Sequence, residues 1–234
     1  MTKHSLSVVL PAFNEEGNIA KMVEHVISVV DDLDLSKYEV IVVDDGSKDR
    51  TGKILDDLAN KYKSLHTIHH TKNRGYADAL KTGFNNAEYP LIFYTDSDRQ
   101  FDVNELKPML KEIDDCDIIC GYRAKRMDPA KRIFTAWVYN KLVNLIFGLN
   151  VRDVDCAFKL FKKKALDEIN IESKGFLVDL EILSKVKQKG FTIKEFPITH
   201  YKREEGSSTV SHKAILKTIS GILWLRRRLN EKKK

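Results

Sequence analysis

The apolar positions in the first 120 residues predict strands that alternate with helices. Short runs rich in β-branched residues are separated by stretches whose apolar positions recur at helical spacing. The runs predicted as strands are 6–10, 40–43, 65–70, 91–95 and 117–120. Because parallel neighbours need a crossover connection, this order predicts an α/β fold with a mostly parallel sheet.

The pattern changes in the second half of the chain. A helix predicted over 129–147 is more apolar than a surface helix normally is, so we expect its apolar surface to be buried. Strands predicted at 158–161 and 192–199 flank a helix at 177–189, and a last helix begins near Ser211. No repeat or linker interrupts the chain, which favours one domain with a C-terminal appendage.

The predicted domain covers residues 1–210, and a basic amphipathic helix follows over 211–234. This last segment holds eight Lys and Arg residues against one Glu, and the net charge of the whole chain is +6. The domain itself is therefore nearly neutral, which argues against a nucleic-acid partner. No apolar run reaches the roughly 18 residues of a membrane span, and Pro11 and Glu15 come too early for a signal-peptide core. We expect a cytoplasmic location.

Three polar clusters follow predicted strands at their carboxyl ends. They are 11–16 after the first strand, 44–47 after the second and 96–100 after the fourth. One such cluster is well explained as a turn or a helix cap, since Asn and Asp favour both. Three clusters at one edge of a parallel sheet instead favour a binding site, because ligands bind outside the carboxyl ends of the strands.

Asp96 and Asp98 offer the chemistry of a divalent-cation site. Alternate residues of a strand face the same way, so two carboxylates and the nearby amide of Gln100 supply the oxygen ligands that Mg²⁺ or Mn²⁺ prefers. Zinc would favour His or Cys. The chain has neither a G-x-G-x-x-G nor a G-x-x-x-x-G-K-[ST] motif, so we expect metal and side chains such as Arg74 to bind phosphate.

These clusters together resemble a known family. Pro-Ala-Phe-Asn-Glu-Glu at 11–16, Asp-Asp-Gly-Ser at 44–47, Asn-Arg-Gly at 73–75 and Asp-Ser-Asp-Arg-Gln at 96–100 are similar, in order and spacing, to the inverting GT-A glycosyltransferases of family 2. Further segments resemble its dolichol-phosphate mannosyltransferase and polyprenyl-phosphate glycosyltransferase branch. They are Gly-Tyr-Arg at 121–123, Asp-Val-Asp-Cys-Ala-Phe-Lys at 153–159 and Tyr-Lys-Arg-Glu-Glu-Gly-Ser-Ser at 201–208.

The resemblance implies a GT-A fold, a Rossmann-like nucleotide-diphospho-sugar transferase architecture with a mixed, mostly parallel sheet flanked by helices. It implies a nucleotide-sugar half at about 5–125 and an acceptor half at about 126–210. It also implies roles for single residues. Those that would bind the nucleotide sugar are Pro11, Phe13, Asn14, Glu15, Asp44, Asp45, Arg74 and Asp96, and those that would hold the metal are Asp96, Asp98 and Gln100.

The implied reaction transfers a hexose from a nucleotide-diphosphate sugar, of the GDP-mannose or UDP-glucose type, to a polyprenyl or dolichyl monophosphate with Mg²⁺ or Mn²⁺. The implied cations for the acceptor phosphate are Arg123, Arg132 and Arg203, although Arg132 is equally well explained as a solvated charge at a helix start. The implied catalytic residues are Asp98 and either Asp153 or Asp155.

A lipid acceptor requires contact with a membrane. The helices predicted over 129–147 and 211–234 combine apolar surface with clustered Lys and Arg, which is typical of helices at an anionic membrane surface. Core packing of the first helix and docking of the second on a small membrane subunit are the alternatives. The resemblance thus predicts a peripheral protein on the cytoplasmic face of a membrane.

Two other functions remain open at the level of sequence. A glycosyltransferase acting on a sugar hydroxyl would need a general base, for which Asp155 is the candidate. A binding or scaffold protein with a degenerate site would bind a nucleotide sugar without metal-dependent turnover. A processive polysaccharide synthase is disfavoured, since its Q-x-x-R-W motif and membrane helices do not occur in the sequence.

Overall fold

A computed structural model of the protein describes residues 3–127, 129–202 and 212–231. In these residues, seven strands form one sheet and eight α-helices flank it. The strands are β1 (Ser5–Ala12), β2 (Lys37–Asp44), β3 (Leu65–His69), β4 (Leu91–Thr95), β5 (Ile118–Lys125), β6 (Phe158–Lys162) and β7 (Ile193–Thr199). The helices are α1 (Ile19–Asp31), α2 (Thr51–Lys61), α3 (Tyr76–Asn86), α4 (Leu106–Glu112), α5 (Ala130–Phe147), α6 (Lys163–Asp167), α7 (Leu177–Gln188) and α8 (His212–Glu231).

The sheet has the strand order β3-β2-β1-β4-β6-β5-β7. All the neighbouring pairs are parallel except those of β6, which runs antiparallel to both β4 and β5. The predicted mixed, mostly parallel sheet is therefore confirmed. The rule that helix-linked strands run parallel fails only for β6, which lies between β4 and β5.

The carboxyl ends of β1, β2 and β4 lie at the same edge of the sheet. Ala12 is the register partner of Asp44, and β4 pairs with β1 on the other side. This edge, which we call the rim, carries the three polar clusters 11–16, 44–47 and 96–100. The parallel register thus brings distant segments of the chain to one place.

The first helices bury the apolar faces that the sequence pattern predicts. The buried side chains of α1 are Ile19, Met22, Val23, Val26, Ile27, Val29 and Val30. Asp49 stands just before α2, and its Oδ1 accepts hydrogen bonds from the backbone N–H (2.9 Å) and the hydroxyl (2.6 Å) of Thr51, the first residue of the helix. The second polar cluster is thereby linked to the start of a helix.

Helix α5 buries only part of its apolar surface among the described residues, so the core-packing alternative accounts for only part of that surface. Val143 and Asn140 face the interior, but one side of the helix exposes a continuous apolar face. The large exposed residues of that face are Ile133, Phe134, Trp137, Val138, Leu142 and Leu145. Phe134 is 65% exposed and Trp137 56%, and their rings stack at 6.1 Å. An apolar patch of this kind marks an interaction surface.

Helix α7 is buried along most of its length. Every residue from 178 to 186 is buried, including Asp179, Glu181 and Lys185. Helix α8 packs on it, since Gly221 lies directly against Leu177 and Arg228 is paired with Glu172 at 3.1 Å. Among the described residues, no helix combines the length and the apolar character needed to span a membrane.

Candidate active site

Hydrogen bonds join the three rim clusters into one assembly. The hydroxyl of Ser97 donates to the carbonyl of Pro11 at 2.7 Å, and the backbone N–H of Asp45 donates to the carbonyl of Ala12 at 2.8 Å. The N–H of Asn14 donates to the hydroxyl of Ser47 at 2.9 Å. The expectation that these clusters meet is confirmed by these contacts.

Hydrogen bonds fix the loop after β1 against the loop after β2. Asn14 has a φ of 54°, a left-handed conformation that Asn tolerates better than most residues, and its side-chain oxygen accepts from the N–H of Lys48 at 2.8 Å. The N–H of Glu15 donates to Thr51 at 2.8 Å. Phe13 and Asn14 are exposed and Pro11 is buried, so the predicted nucleotide-sugar residues of this loop lie partly on the surface and partly beneath it.

Asp45 holds the loop after β3 in place through hydrogen bonds. Its carboxylate accepts hydrogen bonds from the N–H groups of Arg74 (2.8 Å) and Gly75 (2.7 Å), and it lies 2.7 Å from Nδ1 of His70. Asp45 is buried, while the side chain of Arg74 is exposed at the rim. Asp45 therefore places the cation of Arg74 without itself being accessible.

Asp44 is held by two partners. Its carboxylate accepts from the N–H of Ser47 at 3.0 Å and lies 3.0 Å from Nδ1 of His69, whose other ring nitrogen is 3.1 Å from Asp56. Burial would lower the pKa of His69, but the two carboxylates outweigh it and raise the pKa above its ordinary value. The contact with His69 and the hydrogen bond from Ser47 thus fix the carboxylate of Asp44 at the end of β2.

Asp96 and Asp98 form the acidic centre of the rim. The hydroxyl of Tyr76 donates to Asp96 at 3.1 Å, and the N–H of Gln100 donates to Asp98 at 3.1 Å. Desolvation and the charge of Asp98 raise the pKa of Asp96 to about 8. A hard divalent cation that binds both carboxylates would remove the repulsion between them, and their oxygens are the ligands that such a cation prefers. Next to them, Arg99 adopts a φ of 61°, a strained conformation of the kind found at ligand sites.

Gln100 links the acidic centre to the C-terminal part of the chain. Its side-chain amide donates to the carbonyl of Tyr201 at 3.1 Å, and the N–H of Tyr201 donates to the carbonyl of Gln100 at 2.8 Å. The segment that leads to position 203 thus starts beside the predicted metal ligands. The predicted phosphate cation Arg203, and the loop 204–208, lie outside the described residues.

The structure pairs Arg123 with Asp153. Nε and Nη2 of Arg123 donate to the two carboxylate oxygens of Asp153 at 2.6 and 2.7 Å, and both side chains are mostly buried. Burial would raise the pKa of Asp153, but the hydrogen bonds and charge of Arg123 outweigh it and lower the pKa. Asp153 is therefore a fixed partner of Arg123, and Asp155 is the better candidate for contact with substrate.

Helix α5 holds the segment that contains Asp153 and Asp155. Asn140 accepts from the N–H of Val154 at 2.9 Å, and Tyr139 forms a hydrogen bond with Asp155. Although Asp155 keeps accessible surface, desolvation and the charge of Asp179 raise its pKa to about 7. Arg132, by contrast, is an exposed residue in the first turn of α5, and its predicted role stays a prediction.

Comparison with known proteins assigns the chain to a family. The profile described as Glycosyl transferase family 2 matches residues 7–170, which is most of the chain. The chain belongs to glycosyl transferase family 2. The resemblance found in the sequence is thus confirmed, and this protein is a glycosyltransferase.

Two relatives of this glycosyltransferase are named as a polyprenol monophosphomannose synthase and a dolichyl-phosphate glucosyltransferase. It is 27% identical to polyprenol monophosphomannose synthase of Mycolicibacterium smegmatis, over 87% of this chain and 80% of that one. It is 29% identical to dolichyl-phosphate beta-glucosyltransferase of Saccharomyces cerevisiae, over 83% of this chain and 66% of that one. An uncharacterized protein of Methanocaldococcus jannaschii is 32% identical over 92% and 96% of the two chains. The names include both a mannose and a glucose enzyme.

Solved structures confirm the fold. Glucosyl-3-phosphoglycerate synthase from Mycobacterium tuberculosis, crystallised with Mn²⁺ and UDP-glucose, superposes with a TM-score of 0.73 at 17% identity. The match covers 95% of this chain and 79% of that one. The GT-A architecture predicted from the sequence is therefore present in this glycosyltransferase.

Sequence reasoning misses several residues that surround the acidic centre. Tyr76 follows the Asn-Arg-Gly segment directly, and the exposed Phe176 packs on its ring at 5.8 Å. The sequence pattern predicts only that Tyr139 and Asp179 lie in helices. Asp179 is a carboxylate in a helix that is buried on all sides, and charged residues are rarely buried unless they are paired. Lys159 stands out in the sequence only as part of a motif, and the structure shows it fully buried beneath Asp155 and Asp96.

Proposed function

We propose that this glycosyltransferase transfers a hexose from a nucleotide-diphosphate sugar to a polyprenyl or dolichyl monophosphate, with Mg²⁺ or Mn²⁺ as cofactor. The single observation that carries the proposal is the mutually repelling pair Asp96 and Asp98 directly after β4. Ser97, which lies between them, donates to the carbonyl of Pro11 near the end of β1. A divalent cation and a diphosphate together complement such a site, since the cation is shared between carboxylates and phosphates. Relatives named as polyprenyl-phosphate and dolichyl-phosphate enzymes support the acceptor.

The donor would bind across the rim. The exposed Phe13 and Asn14 and the braced Arg74 line the loops around the acidic centre, and Asp44 lies between them. Asp96, Asp98 and Gln100 would hold the cation, which supplies charge neutralisation on the leaving diphosphate. Both GDP-mannose and UDP-glucose remain candidates, because the contacts at the rim do not distinguish the sugar.

The acceptor would meet the donor from the side of Asp155. A lipid monophosphate has a second pKa of about 6 and is largely a dianion at neutral pH, so it attacks the anomeric carbon without a strong base. Arg123, held in a fixed orientation by Asp153, and Arg203 are the proposed cations for this phosphate, with Arg132 as a third. In this role Asp155 orients the sugar or the acceptor.

A second candidate function rests on the environment of Asp155. A carboxyl whose pKa is about 7 suits a general base at neutral pH, and a sugar hydroxyl needs such a base to attack. The chain would then glycosylate a hydroxyl of a glycan or glycolipid.

The membrane would be reached through the exposed apolar face of α5. Stacked Phe134 and Trp137 lie on a helix that also carries the exposed cations Arg132 and Lys141, a combination that suits an anionic interface. We propose a peripheral location on the cytoplasmic face of a membrane, with a small membrane subunit as the alternative partner.

The two acceptors are separated by one experiment. Polyprenyl phosphate, the corresponding polyprenol and a soluble glycoside are offered with the same labelled donor at several pH values. The lipid-phosphate reaction predicts transfer only to the phosphate, and Asp155→Asn slows it without changing the pH profile. The hydroxyl reaction predicts transfer to the glycoside, a rate that rises with pH up to about 7, and loss of transfer in Asp155→Asn.

A further inference from the structure

A fully buried charged cluster lies beneath the rim. Nζ of Lys159 on β6 donates to Asp179 on α7 at 2.6 Å and to the hydroxyl of Tyr94 on β4 at 3.0 Å. The hydroxyl of Tyr94 also donates to Asp179. Lys159 and Tyr94 have no exposed surface, and Asp179 is 4% exposed. We call these three residues the buried triad.

Stability alone does not account for the buried triad. Removing a Lys and an Asp from water carries a large desolvation penalty, and well-packed apolar residues in place of such groups are often as stable or more so. The triad is packed among apolar residues, since Phe84 on α3 and Phe161 on β6 lie against the ring of Tyr94. The contacts of the triad indicate a role beyond packing.

The buried triad joins the two carboxylate-bearing segments of the site. Tyr94 and Lys159 are register partners on β4 and β6, and Asp96 follows two residues after Tyr94, directly beyond the end of β4. Lys159 also donates to the carbonyl of Cys156 at 2.6 Å, immediately after Asp155. One ammonium group thus ties the segment 153–156 to the strand that presents Asp96.

We propose that Lys159 and Asp179 are positioning residues that fix Asp155 relative to Asp96, and so align the acceptor side of the site with the donor side. Asp179 holds the ammonium in place, and the ammonium holds the carbonyl of Cys156. The catalytic consequence rests on the proposed function, whereas the structural consequence, an ordered segment 153–156, does not.

The test separates alignment from stability with two variants. Lys159→Met leaves Asp179 buried without its cation and lowers the melting temperature. The triple variant Tyr94→Phe, Lys159→Met, Asp179→Leu removes every charge of the triad, and we expect its melting temperature to return most of the way to that of the wild type. Its kcat stays about tenfold or more below wild type while the donor KM changes by less than about threefold, because misalignment affects the reacting step and not donor binding.

Helix α7 offers a matched control. Lys185 is another buried lysine, with Glu181 and Glu172 as partners and the carbonyl of Asn170 as an acceptor. Its contacts outside α7 lie in the segment 170–173. Lys185→Met is expected to lower the melting temperature as Lys159→Met does, with kcat and KM of the folded enzyme unchanged.

Amide hydrogen exchange supplies a readout that does not depend on activity. The triple variant should exchange the amides of 153–156 faster than wild type, with those of 172 and 173 unchanged, and Lys185→Met should give the reverse. A triple variant with wild-type kcat and wild-type exchange at 153–156 would overturn the inference. If the wild type transfers to no acceptor but exchange at 153–156 rises in the triple variant, the proposed function fails and the positioning role stands.

Discussion

The rim carboxylates differ in how many hydrogen-bond donors and opposite charges surround them. Asp45 receives two backbone N–H groups and contacts His70, so its charge is stabilised and its role is to hold the chain. Asp96 receives one hydroxyl and faces a second carboxylate, which makes its charge unfavourable in the absence of a cation. The protein thus carries unfavourable charge at the position where a ligand would relieve it.

Asp96→Asn should stabilise the metal-free protein at alkaline pH. The pKa of Asp96 is raised to about 8 in the folded state, so its ionisation lowers stability progressively as pH rises from about 4, the unfolded pKa, to about 8. Removing this charge raises the free energy of unfolding by roughly 1 kcal/mol or more, about 2–4 °C in melting temperature for a chain of this size. Thermal melts in EDTA at pH 8 measure the gain.

The control for this effect is Asp78→Asn on α3. Asp78 pairs with Lys81, which lowers its pKa, so removing its charge should lower stability slightly at pH 8. The gain of Asp96→Asn should become small near pH 4, where the carboxyl is protonated in the folded state and about half protonated in the unfolded state. A destabilised Asp96→Asn protein at pH 8 would contradict the interpretation of the acidic pair.

The sequence predicts which residues lie at the rim, but it does not predict which side chains form ion pairs or hydrogen bonds with each other. The strand ends and the polar clusters of 11–16, 44–47 and 96–100 follow from the apolar pattern and from turn chemistry. The pairing of Arg123 with Asp153, and the burial of Lys159, depend on how β5, β6 and α7 pack together, and no local pattern encodes that. Asp179 is visible in the sequence only as a charge in an apolar helix.

At the scale of elements, the rim depends on the close approach of two loops. Gly46 has a φ of +70°, and a Cβ there would lie 2.4 Å from the backbone carbonyl carbon of Lys72. This contact brings the loop after β2 against the chain that leads to Arg74. A side chain would separate them.

Gly46→Ala should therefore destabilise the protein more than Gly190→Ala, since both glycines have positive φ but only Gly46 lies against other backbone atoms. Gly190 has a φ of +86°, and a Cβ there would have no neighbouring atom within 4 Å, so Gly190→Ala costs only the strain of the left-handed backbone, about 1 kcal/mol. Gly46→Ala should lose at least about 1 kcal/mol more, since the backbone of 72–73 must move. Denaturant unfolding of both variants tests the difference, and equal losses would contradict it.

The exposed face of α5 should carry membrane binding. Phe134→Ser with Trp137→Ser removes the largest exposed apolar groups, and sedimentation with anionic vesicles should fall at both low and high salt. Lys141→Gln should weaken binding only at low salt, because its contribution is electrostatic. The melting temperature of the double variant should stay near wild type. Unchanged sedimentation would remove α5 from the membrane contact.

The elements themselves follow from the sequence more closely than their environments do. The predicted strands reappear with ends shifted by a few residues, and α5 and α7 lie close to their predicted bounds. The antiparallel direction of β6 does not follow, since it is set by the position that the strand takes between β4 and β5. The exposure of α5 does not follow either, because an apolar helix pattern does not say whether core or another surface covers it.

At the scale of the whole molecule, one sheet connects the proposed donor side of the site to the proposed acceptor side. Strands β1, β2 and β4 carry the rim clusters, and β6 and β5 continue the sheet to Arg123 and the segment 153–156. The division into halves at about 5–125 and 126–210 stays a prediction. Membership of glycosyl transferase family 2 accounts for the fold, and the proposed reaction uses both the rim and the segment 153–156.

The most direct test of the central claim is transfer of label into the organic phase. Radiolabelled GDP-mannose, UDP-glucose and UDP-N-acetylglucosamine are each incubated with polyprenyl phosphate and Mg²⁺ or Mn²⁺, then with EDTA, using wild type, Asp98→Ala and the exposed control Asp57→Ala. The account predicts lipid-linked label from one donor, lost with EDTA and in Asp98→Ala but kept in Asp57→Ala. Label that survives EDTA or Asp98→Ala, or its absence with every donor, would contradict metal-dependent transfer to a lipid phosphate.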